Sequence, residues 1–218
     1  VERVYVHAAV YDEFVAKLVT LAAAVRAGSS GKIGPITMPK QLGIIRGHIE
    51  DALDRGARAL LGGADAIDGR FVQPTILVDV PENAMAVTEE TFGPTLTVTK
   101  VADMDDAIAR VNASAYGLGG TVFSRHNGQT IADRIRAGGV SINAFVAHAT
   151  IPMLPLGGVG GSGFGRVHGP DGLKEFTYAK ATTRQRFSSP LALTTFTRGT
   201  TVDAIVDGLV SVLHGRAR

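Results

Sequence analysis

The sequence predicts an α/β protein built on a mostly parallel sheet with helices on both faces. Short apolar runs of strand character alternate with segments whose apolar residues recur at three- and four-residue spacing, and the alternation continues from Val4 to Asn143. Glycine pairs and clusters stand where one element should hand over to the next, at Gly28 to Gly31, Gly62-Gly63 and Gly138-Gly139. A content of 45 % hydrophobic and 19 % charged residues over 218 residues is that of one globular domain with a sizeable core.

Val4, Tyr5 and Val6 make the first short strand. Val10, Phe14, Leu18, Leu21 and Val25 stripe a helix from about Tyr11 to Arg26, which Gly28 ends. After Gly34-Pro35 and Pro39, Leu42, Ile45, Ile49 and Leu53 stripe a second helix that stops at Gly56. Ala57 to Leu61 is the next strand. The extended run Phe71 to Val80 contains Pro74, which cannot donate to a ladder and marks an edge or bent strand. Thr95 to Val101 is a further strand, and Asp103 is placed to cap a helix through Ala113 that buries Ala107, Ile108 and Val111. Thr121 to Phe123, a helix from Asn127 to Ala137, and Val140 to Asn143 complete the alternating region.

Periodicity then stops. Residues 144 to 172 hold eight glycines and three prolines, which predicts a long ordered loop with special backbone angles. Lys180 to Phe187 alternates weakly as a strand. Thr201 to Leu213 forms an amphipathic helix with Val202, Ile205, Val206, Leu209 and Leu213 on one side; without Lys or Arg on its polar face, it fits core or subunit packing better than a membrane anchor.

The net charge is +2, and the basic residues cluster only weakly, at Arg184, Arg186 and Arg198 and again at Arg216 and Arg218, which argues against a nucleic-acid partner. No stretch has the length and apolarity of a membrane span. The charged first residues lack the pattern of a secretory leader, so a cytoplasmic location is expected. Cysteine is absent, which removes disulfides, thiolate metal sites and covalent thiol catalysis by these residues.

The stretch Thr88-Glu89-Glu90-Thr91-Phe92-Gly93-Pro94 concentrates the chemistry. A carboxylate accepts both hydroxyls of a ribose, and a phenyl ring lies against a flat heterocycle, so the stretch suits a nucleotide; a solvated Glu pair beside a buried Phe is the plainer alternative. In parallel sheets ligands gather outside the carboxyl ends of the strands, where Asn143 and Glu90 are expected. Gly158 to Gly163 spells G-x-G-x-x-G, but prolines precede it and Gly169-Pro170 follows, so it reads as a structural glycine loop. His148 and His168 lack metal-ligand spacing and fit loop residues making one or two hydrogen bonds. Asn143 would hold a loop carbonyl or orient a substrate, and Phe145, Met153 and Leu154 would line either a core or an apolar tunnel.

Glu89-Glu90-Thr91-Phe92-Gly93-Pro94 resembles a signature of the aldehyde dehydrogenase superfamily. Further matches follow in family order at Glu2 to Val6, Gly34-Pro35, Gly62-Gly63, Phe71 to Thr75, Tyr116 to Leu118, Val140 to Asn143, Leu154 to Val159 and Ser162 to Gly165. The run from Asn143 to Gly169 is most similar to the class-three branch, which oxidises medium-chain, fatty and aromatic aldehydes. The resemblance implies a catalytic-domain portion over residues 1 to 187, an extension with the amphipathic helix over 188 to 218, and an oligomerisation strand near Ala181 to Phe187.

It also implies NAD or NADP as cofactor. Glu90 would bond the nicotinamide-side ribose, Phe92 would pack near the nicotinamide, Gln41 would lie near the same ribose, and Asn143 and Phe145 would border the substrate pocket. In the family a cysteine thiolate attacks the aldehyde, and by the family's spacing it would stand about three residues before Val1. The glutamate base and the Rossmann-like cofactor domain would lie further upstream. The expected function is that of the carboxyl-terminal part of an NAD(P)-dependent, homo-oligomeric aldehyde dehydrogenase; a catalytically inactive truncated homologue that binds or oligomerises is the alternative.

Overall fold

The computed structural model describes residues 2–187, 196–197 and 199–215. Arg198, Arg216, Arg218 and residues 188–195 of the expected extension lie outside the described residues. Contacts divide the chain into two compact units, Val1–Thr177 and Tyr178–Arg218.

The first unit begins with strand β1 (Arg3–His7), helix α1 (Tyr11–Ala23), helix α2 (Pro39–Asp54) and strand β2 (Arg58–Leu61). A small antiparallel hairpin, β3 (Ile67–Asp68) with β4 (Phe71–Val72), leads to β5 (Thr75–Val78). Then come the one-turn α3 (Met85–Thr88), β6 (Thr95–Val101) and α4 (Met104–Ala113). The order in the main sheet is β1-β6-β5-β2; β1, β6 and β5 are parallel, and β2 joins antiparallel at the edge with a bulge between Ala59 and Leu61.

The register explains both buried faces. Val4 pairs with Val98 and Val98 with Val78, so one row of β-branched side chains crosses the sheet. With Val6, Ile76 and Leu96 that row packs under α1 through Val15, Leu18 and Val19. Leu77, on the opposite face, is fully buried against Ala52 and Ala57, and against Val80, Ala84 and Val87 around α3. Ile45 and Ile49 of α2 meet Val72 in a third cluster. Asp103 caps α4 as expected, its carboxylate accepting the Asp106 N–H at 2.9 Å.

Two expected elements are shortened because side chains claim backbone groups that a helix would need. The helix expected to reach Arg26 ends at Ala23, and the Gln73 amide takes both the N–H and the carbonyl of Ala27. The helix expected from Asn127 to Ala137 is only α5 (Gly128–Ala132), since the Asn112 amide bonds the Arg134 carbonyl and the Arg136 N–H. The run Phe71–Val80 is likewise two strands. Contrary to an edge placement, β5 lies inside the sheet, because Pro74 stands just ahead of it and removes no ladder bond.

A separate parallel pair is formed by β7 (Gly119–Val122) and β8 (Gly139–Ile142). The glycine-rich span after it contains α6 (Ala147–Thr150), a 3-10 turn over Gly160–Ser162 and α7 (Gly169–Lys174). Leu156 and Val167 exchange both backbone hydrogen bonds at 2.7 Å, which closes this loop on itself.

In the second unit residues 178–186 have no regular structure. The strand expected over Ala181–Phe187 is not formed among the described residues: a strand needs a ladder partner, and none pairs with it here. Helix α8 (Thr200–His214) covers the expected amphipathic segment. No described helix is long and apolar enough to cross a membrane.

Candidate functional site

The loop Glu89 to Pro94 leaves the end of α3 and enters β6. Three neighbouring segments hold it. Ahead of β1, the Glu2 carboxylate accepts the Thr91 N–H at 3.0 Å and the Phe92 N–H at 2.7 Å. From α2, Gln41 Nε2 donates to the Thr91 carbonyl at 2.6 Å, and the His48 ring meets the Thr91 hydroxyl. The Pro94 carbonyl accepts the Thr75 N–H at the start of β5. Gly93 lies on Ile45: a Cβ there would sit 2.7 Å from Ile45 Cδ1, so any larger residue would force the buried Ile45 side chain to shift.

The same ties explain the unusual backbone of Phe92, which has φ +49°. A left-handed phenylalanine costs about 1 kcal/mol or more and persists only when its surroundings fix it. Here the paired N–H groups of Thr91 and Phe92 on one carboxylate do so. The result is a rigid loop from which the Phe92 ring stands 70 % exposed, rather than buried as in the plainer sequence reading. Beside it, Glu90 is exposed and makes no hydrogen bond or ion pair with any described residue.

The loop lies at the amino ends of the parallel strands, not at the carboxyl ends where ligands were expected. Glu2 precedes β1, Pro94 precedes β6 and Pro74 precedes β5, so parallel pairing gathers all three at one edge. Asn143, by contrast, follows β8 at the carboxyl end of the β7–β8 pair.

Gln41 and Phe92 thus converge on the Glu90 loop, with the Gln41 amide donor already committed to Thr91. Asn143 and Phe145 form a second cluster, which no hydrogen bond or ion pair joins to the first among the described residues. Asn143 has φ +52°, and its carboxamide bonds both the N–H and the carbonyl of Ser124, at 2.9 and 2.8 Å. That fixes the loop after β7. Phe145 is exposed, with Ile151, Met153 and Leu154 exposed after it.

His148 holds this second segment down. Its Nδ1 lies 2.9 Å from Ser141 Oγ, which also accepts the His148 N–H, and its ring covers Gly119 and Gly139, where any Cβ would collide with it. His168 precedes α7 with φ +68° and makes no side-chain cap. The G-x-G-x-x-G run forms a 3-10 turn packed on residues 115 to 117: Ser162 Oγ accepts the Gly117 N–H, and Gly161 donates to the Ala115 carbonyl. No group of three or more His, Cys, Asp or Glu among the described residues is arranged to hold a metal.

Glu2 and His48 escaped the sequence reading as site residues. Glu2 was visible only as part of a motif, and His48 only as one position on a helix. Asp51 was also missed: its carboxylate accepts the Met85 N–H at 2.7 Å and so pins α3 directly ahead of the loop. That N–H, and after it the Arg55 guanidinium, hold its carboxyl below the usual carboxylate range. A lowered folded-state value means that Asp51 favours the fold above the ordinary carboxylate range, and that this contribution is lost as pH falls through the lowered value. Asp51→Asn should therefore lower the thermal midpoint near neutral pH and weaken its fall on acidification. Equal midpoint losses at neutral pH and near pH 2 would contradict this role.

Two surface clefts, of about 230 and 400 Å³, flank α1; one is bordered by Arg26, Leu61 and Gln73, the other by Tyr11, Arg58 and Leu60. Neither is bordered by Glu90, Phe92, Asn143 or Phe145, and Phe92 and Phe145 stand exposed.

The fold that carries this loop is shared with known proteins. Residues 1–182 match the aldehyde dehydrogenase family, and the chain belongs to it. It is 41 % identical over 177 residues to a succinate-semialdehyde dehydrogenase [NADP(+)] of Deinococcus radiodurans, covering 78 % of this chain and 37 % of the relative. It is 37 % identical over 182 residues to a 4,4'-diapolycopene aldehyde oxidase of Methylomonas sp., covering 82 % of this chain and 34 % of the relative. Among solved structures it superposes on the NAD+ complex of an aldehyde dehydrogenase from Bacillus cereus with a TM-score of 0.76 and 33 % identity, over 81 % of this chain and 37 % of that one. The chain thus spans little more than a third of the length of these relatives.

Proposed function

We propose that this chain is the catalytic-domain portion of an NAD(P)-dependent aldehyde dehydrogenase, and that the Glu90–Phe92 loop receives the nicotinamide end of the dinucleotide. The observation that carries this reading is the pairing of an unengaged Glu90 carboxylate with an exposed Phe92 ring on a loop clamped from several sides. A carboxylate accepts two vicinal hydroxyls, and the ring offers apolar surface to a flat heterocycle, so these residues fit the ribose and nicotinamide. When bound, the nicotinamide supplies the hydride acceptor. Glu90 and Phe92 orient it, while Gln41 and Glu2 keep the loop in place. Because the loop is fixed beforehand, little ordering entropy is lost on binding.

The sequence contains no cysteine. We place the family's thiol nucleophile upstream of Val1, with the glutamate base and the cofactor domain beyond it, and we place the polypeptide in the cytoplasm as a homo-oligomer paired through residues 181–187. Glu90→Gln in the complete enzyme removes a charge-assisted acceptor and should lower kcat/KM for the dinucleotide by roughly 10- to 100-fold. Unchanged dinucleotide kinetics would remove Glu90 from the site. The second reading is an inactive homologue that binds or oligomerises; an intact mass near 22.7 kDa for the cellular protein would support it, and a much larger mass would remove it.

For the substrate, the motif run from Asn143 to Gly169 and the exposed apolar series Phe145, Ile151, Met153 and Leu154 favour the class-three preference for medium-chain, fatty or aromatic aldehydes. The names of several relatives favour succinate semialdehyde instead. Each methylene buried on such a wall contributes about 0.8 kcal/mol, or roughly fourfold. The kcat/KM of the complete enzyme should therefore rise along a series of straight-chain alkanals and exceed that for succinate semialdehyde. The opposite ranking would assign the chain to the semialdehyde enzymes.

A further inference from the structure

We propose that His48 is a positioning residue for the dinucleotide, acting through Thr91 and Glu89 on the Glu90 carboxylate and the Phe92 ring; the proposal rests on that loop's facing the nicotinamide ribose. His48 lies in the middle of α2 and is 3 % exposed, the one titratable side chain buried this deeply among the described residues. Such a residue needs partners for its ring nitrogens. It finds them on the two residues that flank Glu90: Nδ1 lies 3.0 Å from the Thr91 hydroxyl, and Nε2 faces the Glu89 carboxylate at 3.6 Å.

The chemistry of these groups sets the direction of the bonds. A carboxylate only accepts, so we assign the ring proton to the Nε2 that faces Glu89, although the contact at this distance is too long for a hydrogen bond. In the neutral ring Nδ1 is then an acceptor, and the Thr91 hydroxyl donates to it.

Thr91 is 2 % exposed, and all its polar groups are spoken for: the N–H by Glu2, the carbonyl by Gln41 and the hydroxyl by His48. Glu90 has no such partner, so the place of its carboxylate is set by its covalent neighbours. Removing the imidazole would leave a buried hydroxyl unpaired and a void under the loop, while the bonds from Glu2 and Gln41 remain. The expected consequence is a loop that still folds but no longer holds one position.

The test compares His48→Leu, which lacks an acceptor, with His48→Asn, whose side-chain oxygen stands near the place of Nδ1 and can accept the Thr91 hydroxyl. In the complete dehydrogenase without cofactor, His48→Leu should speed amide hydrogen exchange at Thr91 and Phe92 about tenfold while leaving β5 and β6 unchanged, and His48→Asn should restore most of the protection. In the complete dehydrogenase, His48→Leu should weaken NADH about tenfold, again with recovery in His48→Asn. Combined with Glu90→Gln, the same Leu substitution should weaken NADH less than about threefold, because both changes act on one carboxylate.

Unchanged exchange at Thr91 and Phe92 would overturn the proposal, as would equal acceleration in β5 and β6, the mark of a purely structural core residue. A full NADH loss in the Glu90→Gln background would overturn action through Glu90. If Glu90→Gln by itself leaves NADH affinity unchanged, the reading of the loop fails instead, and the exchange data still decide whether His48 fixes it.

Discussion

Gly138→Ala should displace the glycine loop and lower stability by about 3 kcal/mol or more. A Cβ at Gly138 would sit 1.6 Å from the Gly157 carbonyl oxygen, 2.6 Å from its carbon and 3.1 Å from the Gly158 Cα. All three are backbone atoms, so no side-chain rotation relieves the overlap. The two segments must separate, yet both are bonded to one acceptor: Gly138 and Val159 donate their N–H groups to the Gly117 carbonyl, at 2.9 and 3.1 Å. Separation therefore breaks at least one of these bonds as well, at about 1 kcal/mol for a partly buried donor left unpaired. For a unit of this size the thermal midpoint should fall by roughly 6 to 12 °C. Proteolysis should begin within residues 144 to 172 before it reaches the main sheet. An alanine variant with an unchanged midpoint would mean that the two segments do not approach as described.

Leu77→Ala should destabilise the main sheet strongly. Leu77 is fully buried in β5, a strand with neighbours on both sides, and much of its surroundings is alanine: Ala52, Ala57, Ala84 and Ala86, with Val80 and Val87. Alanine side chains have no rotamers with which to fill a void. The loss therefore belongs in the upper half of the range of about 2–5 kcal/mol for such truncations. Its effect should also reach the loop, because Leu77 supports both α2, which carries Gln41 and His48, and α3, which leads into Glu89. Denaturant unfolding should show a lower midpoint with an unchanged slope. A loss below about 1 kcal/mol would mean that the α2 and α3 face of the sheet repacks freely.

Elements whose cause is local were legible in the sequence. The α2 stripe ending near Gly56 and the α4 cap at Asp103 depend on residues within a turn or two, and the structure has both. The Glu90–Phe92 stretch could be singled out for the same reason, since its residue types are adjacent, and the structure brings Gln41 onto the same loop. Its position was not legible. Spacing along the chain does not reveal that three parallel strands begin at one edge, so the loop was expected with the carboxyl ends, and Glu2, about 90 residues away in sequence, was not seen to hold it. The shortened α1 and α5 have the same origin: Gln73 and Asn112 compete for helix backbone from 46 and more than 20 residues away. The positive backbone angle at Phe92 also escaped, because phenylalanine does not announce a left-handed conformation as glycine does.

The most direct measurement is a crystal structure of the complete enzyme with its dinucleotide bound. The Glu90 carboxylate should then lie within about 3 Å of the hydroxyls of the nicotinamide-side ribose, with the Phe92 ring against the nicotinamide, and the bonds from Glu2 and Gln41 to Thr91 and Phe92 should be unchanged. A dinucleotide whose ribose is held by other groups, with Glu90 left in solvent, would contradict the account.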